Sequence, residues 1–235
     1  MKKKPIWNVL ITWFLVALAF WLIFITTQES EIKYKIYYFI VWILVIGSLI
    51  WCFRQLIKNR VSTWRTSPLF KFIFLAYGMV LFEELIAAFS LHLSEGFYLP
   101  LYLERVGQFW LLNILAFTGI IFATYFLYTR LRYSQTEMFM LIGIWGLYAE
   151  HTYVAIFGNP IAFLALLPFI VITYGLIFTP ALWSIGRPGT RHMNPVIKYF
   201  LTFLVFFVFS ILPALAINHI RTNAQNLFAP AELID

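Results

Sequence analysis

LFKFIFLAYGMVLFEELIAAFSLH, residues 69–92, decides how the chain is read. About 20 apolar residues are enough to cross the hydrocarbon core of a bilayer, and this run carries two adjacent acids, Glu83 and Glu84, well inside it. A charged side chain at such a depth costs on the order of 2.5–3.5 kcal/mol on insertion scales. It persists where it faces a protein interior, a water-filled cavity, a metal or a proton, so the rest of the sequence reads as a scaffold around the pair.

The composition agrees with a membrane setting. Of 235 residues, 62% are hydrophobic and only 11% charged, whereas soluble domains run at about 45–50% apolar and about 25% charged. Apolar runs recur along the whole length, which gives an all-α fold: a polytopic transmembrane helical bundle, one domain over residues 1–235, placed in the cell membrane. A net charge of +7 in a soluble protein would invite nucleic acid. Here the basic residues sit between apolar runs and set orientation instead, so the expected partner is the lipid bilayer and not nucleic acid. The single cysteine, Cys52, excludes an internal disulfide and a thiolate metal cluster. Four histidines are too few for the His-rich sites of membrane desaturases. The oligomeric state is left open.

Seven spans follow, at about residues 6–25, 37–53, 69–92, 109–128, 137–157, 161–183 and 196–217. The first follows MKKK but is too long for a signal-peptide core and lacks an A-x-A-like cleavage site, so it reads as a retained span. Residues 54–66 form a basic linker. Residues 93–108, LSEGFYLPLYLERVGQ, are too polar to cross and suit an interfacial or re-entrant outer segment. Pro168 and Pro180 predict a kink in the sixth span.

With the N-terminus inside, the inner segments collect Lys2, Lys3, Lys4, Arg54, Lys58, Arg60, Arg65, Lys71, Arg130, Arg132, Arg187, Arg191 and Lys198. The outer segments hold Lys33, Lys35, Arg105 and Arg221. That asymmetry predicts N-in and C-out.

Spans three and five then run in the same direction. Glu83 and Glu84 lie about two-thirds of the way along one, and Glu150 and His151 about as far along the other. At about 1.5 Å per residue the four share a level in the outer half of the bilayer. His92 lies eight residues beyond Glu84 on nearly the same face.

Carboxylates and an imidazole at one depth suit three chemistries. Glu84, Glu150, His151 and His92 are candidate metal ligands, since imidazole nitrogen and carboxylate oxygen bind divalent metals; the cofactor is otherwise open. Glu83, Glu84, Glu150 and His151 are candidate catalytic acids and bases. The same groups could relay a proton or hold a cation in a transporter. A packing role is the plain alternative, and Tyr77, Thr173 and Tyr174 read equally as helix–helix hydrogen-bond partners or site residues. His192 reads as a solvated inner-loop residue and His219 as a surface one.

Glu83-Glu84, followed in a later helix by Leu147-x-x-x-His151, resembles the glutamate intramembrane proteases, the CAAX-protease/bacteriocin-processing and PrsW-like group, with patterns EExxxR and FxxxH. The resemblance implies a membrane-embedded hydrolase in which Glu83 and Glu84 activate a water, His151 supports it, and the substrate is hydrophobic or membrane-embedded. Ala88 stands where that pattern has Arg, and Leu147 where it has Phe. Leu81-Phe82-Glu83-Glu84 is also similar to the PLEE pattern of the small membrane lycopene cyclases, without its proline.

Overall fold

The structure, a computed structural model, describes residues 5–27, 32–186 and 188–223. Lys2, Lys3, Lys4 and Arg187 of the orientation argument lie outside the described residues, as does the tail, 224–235.

The described residues are helical almost throughout: α1 (Pro5–Thr27), α2 (Ile32–Ile40), α3 (Gly47–Cys52), α4 (Arg54–Thr63), α5 (Pro68–Glu95), α6 (Leu99–Arg130), α7 (Gln135–Ala149), α8 (Ala155–Gly158), α9 (Pro160–Ser184) and α10 (Pro195–Asn223). A π-helical turn, Val41–Ile46, joins α2 to α3. Five helices, α1, α5, α6, α9 and α10, are long and apolar enough to cross a membrane. Two bent pairs raise the number to seven if each is one span: α2–α3 with α4, bent by 59°, and α7 with the short helices after it, bent by 72°.

Helix starts follow local chemistry. Ser67 accepts a hydrogen bond from the Phe70 amide ahead of Pro68, and Asn159 accepts one from Ala162 ahead of Pro160. In both places proline occupies a first-turn position where its missing N–H costs nothing. Ser134 and Glu137 cap α7 reciprocally, each side chain accepting from the other's amide.

Three sequence expectations change. The basic linker after span two is helical over most of its length: residues 54–63 form α4, which packs on α9. Residues 93–108 are not an element of their own. The first three end α5, the chain turns at Gly96 with φ 92°, and 99–108 open the 32-residue α6. A helix of that length measures about 48 Å at about 1.5 Å per residue, against about 30 Å of hydrocarbon, so it outruns the apolar layer. The fifth span is broken inside, at Glu150 and His151.

Helix α9 stands at the centre, against α1, α5 and α7, while α10 lies outside, mainly on α6. Small residues bring the backbones close, as expected where lipid offers no hydrophobic drive to association. A Cβ on Gly143 of α7 would lie 2.4 Å from the Val171 carbonyl oxygen of α9, and one on Gly119 of α6 would lie 2.6 Å from that of Phe209 in α10. Despite Pro168 and Pro180, α9 is a single helix in the structure. Pro168 cannot donate to the carbonyl of Leu164; the Trp13 indole N–H of α1 donates to it instead, at 3.1 Å. Trp21, two turns along α1, donates to Ala165 at 3.2 Å.

Candidate functional site

A cavity of about 560 Å³ opens between α1, α2, α5, α6, the break after α7 and α9. Its polar lining is dominated by Glu83 and Glu84 of α5 and Glu150 from the end of α7. The shared depth expected for the two spans therefore becomes a shared space for three carboxylates. No lysine, arginine or histidine is among the described lining residues.

Each carboxylate is held by a neutral donor from another helix. The Tyr38 hydroxyl of α2 donates to Glu83 Oε1. Asn113 Nδ2 of α6 donates to Glu84 Oε1 at 2.6 Å, and the Tyr174 hydroxyl of α9 donates to Glu150 Oε1 at 2.6 Å. Adjacent acids on a helix point about 100° apart, so Glu83 turns towards α2 and Glu84 towards α6 while both border the same space. Glu83 is buried, Glu84 half-buried and Glu150 exposed at the helix end.

The apolar walls mix aliphatic side chains with aromatic ones, Trp21, Phe39 and Phe117 beside the two tyrosines. The Phe117 and Tyr174 rings stack at 5.6 Å between centroids. Thr173, next to Tyr174, is 3% exposed, borders the cavity, and its hydroxyl has no hydrogen-bond partner. Thr124 of α6, away from the cavity, shares this state, whereas Thr118, Thr129, Thr179 and Thr202 all donate to the carbonyl four residues back, the habitual outlet for a helical hydroxyl.

The histidines of the expected site lie elsewhere. His151 has φ 51°, a left-handed conformation that ends α7 and swings the chain aside. A non-glycine residue there is uncommon, though histidine is among the enriched types. The turn brings Thr152 to the cavity and leaves His151 exposed near the Tyr153 ring. His92 is fully buried, but in the last turn of α5, where its Nε2 accepts from the Tyr98 amide at 3.0 Å. Among the described residues no group of three His, Cys, Asp or Glu is arranged to hold a metal. The four ligands expected together are thus divided, with Glu84 and Glu150 on the cavity and His92 and His151 off it.

Other polar residues resolve into packing. Tyr77 pairs with Thr118 across α5 and α6, at 2.5 Å. His192 meets Arg132 of the α6–α7 turn, and His219 is exposed beside Asn223. Lys198 is buried against Glu137 at 2.7 Å.

Sequence reasoning passed over Tyr38, Asn113 and Trp21. Asn113 carried a legible signal, an amide in the middle of an apolar run, where a polar side chain needs a partner on another helix. Tyr38 and Trp21 carried none, because aromatic residues are abundant in every span. No protein-family model, curated protein or solved structure matches the chain.

Proposed function

We propose that the chain is a multi-pass membrane protein that admits a small lipophilic molecule to its carboxylate-lined cavity and performs acid–base chemistry on it. The observation that carries this reading is the convergence of Glu83, Glu84 and Glu150, from two separate parts of the sequence, on one aromatic-walled space. Three carboxylates in such surroundings are not balanced by any described cationic side chain there, so protons or a bound cation must balance them. A carboxyl holding a proton is a general acid and its ionised neighbour a general base, each contributing about 10²–10⁴-fold when positioned within hydrogen-bond reach. In the hydrolytic version, one carboxylate takes a proton from water as another protonates the leaving group. Residues Tyr38, Asn113 and Tyr174 act as positioning residues by fixing the three carboxyls.

A cation- or proton-coupled transporter is the second reading, and the break at Glu150 favours it, since interrupted helices line the central sites of many transporters. The two readings part in one experiment. Native protein and the Glu84→Gln variant, matched for folded amount, are compared in cells by profiling lipid-soluble metabolites, and in proteoliposomes by ion flux. The enzyme reading predicts that a lipophilic compound is converted only with the native protein. Conversion unaffected by Glu84→Gln or Glu150→Gln would refute it, and Glu84-dependent flux without conversion would establish the transporter.

A further inference from the structure

We propose that the occupant of the cavity is a lipophilic amine, with its ammonium head among Glu83, Glu84 and Glu150 and its apolar body against Trp21, Phe39 and Phe117. The proposal rests on the cavity being a binding site, and adds the sign and shape of what it binds.

The first support is the polarity of the lining. Each carboxyl spends one oxygen, Oε1, on a neutral donor, and Glu83 and Glu84 also bond to each other; the lone pairs that remain on the pair and on Glu150 face one space. An ammonium group carries only donors and full positive charge. A phosphate or carboxylate head would meet like charge from whichever of the three carboxyls is ionised. The second support is independent of the acids. Thr173 lines the same cavity and is buried, and its hydroxyl lacks both a protein partner and the usual helical back-bond; of the two threonines in this state among the described residues, Thr173 and Thr124, it is the one on the cavity. Buried hydroxyls are normally satisfied, and an N–H brought to this wall would satisfy it, a weaker bond than one to the carboxylates.

The third support is size and wall chemistry. About 560 Å³ falls within the roughly 300–1,000 Å³ typical of sites for small organic molecules, and far exceeds a bare metal ion. Such an ion would need about six to eight oxygens at about 2.3–2.6 Å if it were calcium, and no described cluster provides that set. Aromatic faces, by contrast, attract an organic cation through the ring quadrupole. Trp21 and Phe39 place such rings on the cavity wall.

The test uses three probes of one skeleton: 4-phenylbutylamine, 4-phenylbutanol and 4-phenylbutyrate. Each is titrated into the purified full chain in detergent micelles, with the thermal unfolding midpoint and tryptophan fluorescence as readouts. The amine should bind roughly tenfold or more tighter than the alcohol, as expected for charge-assisted hydrogen bonds replacing neutral ones, and the butyrate should bind weakest. The preference for amine over alcohol should vanish in the Glu83→Gln, Glu84→Gln, Glu150→Gln triple variant. If that variant does not fold, Glu150→Gln alone, altering an exposed helix end, should reduce the preference, and Thr173→Val should weaken the amine. Equal binding of amine and alcohol, or a preference that survives the substitutions, overturns the charge assignment and leaves the cavity as a neutral lipophilic site. Stabilisation by calcium with no effect of the amine overturns it in favour of an inorganic cation. Failure of all three probes to bind removes the binding-site reading itself.

Discussion

Gly143→Ala tests whether the packing of α7 on α9 is what places Glu150 at the cavity. A Cβ at this position would lie 2.4 Å from the Val171 carbonyl oxygen and 2.9 Å from its Cα, about 1 Å inside an ordinary contact separation. Both atoms are backbone, so no rotamer change relieves the overlap and the helices must part by about that distance. The same interface seats Gly146 on the Tyr174 ring and Gly175 on the Phe139 ring. It also carries the 2.6 Å bond from Tyr174 to Glu150, and an added 1 Å would stretch that bond past a useful length. Overpacking costs about 1–3 kcal/mol and the lost hydrogen bond about 0.5–1.5 kcal/mol, giving a destabilisation of about 2–4 kcal/mol. Gly78→Ala is the control, since its Cβ would meet nothing within 4 Å; helix propensity alone makes it neutral or stabilising by up to about 1 kcal/mol. Unfolding both variants by titrating denaturing detergent into mild micelles, followed by circular dichroism, measures the difference. Equal stability of Gly143→Ala and Gly78→Ala would refute the tight α7–α9 crossing.

Trp13→Phe should cost about 0.6–1.7 kcal/mol in the same unfolding assay, the range for hydrogen bonds between membrane helices, and the cost should shrink in a Pro168→Ala background, where residue 168 regains an N–H for Leu164; an unchanged cost would mean that Trp13 matters only for packing. Lys198→Met should destabilise by about 1.5–3 kcal/mol, because it removes the ion pair to Glu137 and the bond to the Arg132 carbonyl; full stability would show the Lys198–Glu137 network to be incidental. A reporter fused after Asp235 should be active outside the cytoplasm and one inserted near Gly189 inside it, and the reverse pattern would overturn the N-in, C-out orientation.

The helices were legible because apolar runs and their caps are local properties. Pro68 and Pro160 behind a serine and an asparagine mark starts that any sequence reading can find, and residues 69–92 announce a span by length alone. The site was legible only in its depth: counting residues along spans three and five puts Glu83, Glu84 and Glu150 level, and the structure has them around one cavity. Which way a side chain faces depends on a single backbone angle, and that is where periodicity stops informing. A helix continued through residue 151 would have carried His151 on round the axis; the left-handed conformation there ends it instead. His92 illustrates the other limit, since its role is fixed by the Tyr98 amide six residues later in a turn. Of the neutral donors, Tyr174 reads as a hydrogen-bond partner or site residue and Asn113 is legible as an amide in an apolar run, while Tyr38 stays hidden because it matters only through its partner on another helix.

The claim that Glu83, Glu84 and Glu150 share one space is tested most directly by infrared spectroscopy of their carboxyl groups in the purified protein. Each Glu→Gln substitution removes one carboxyl's bands, and the single and double variants together reveal whether the groups sense one another. For groups that face one cavity, Glu150→Gln should alter the bands lost in Glu84→Gln, so that the double-variant difference spectrum departs from the sum of the two single ones. Strictly additive spectra across all three pairs, with each carboxyl unaffected by loss of the others, would contradict the shared site.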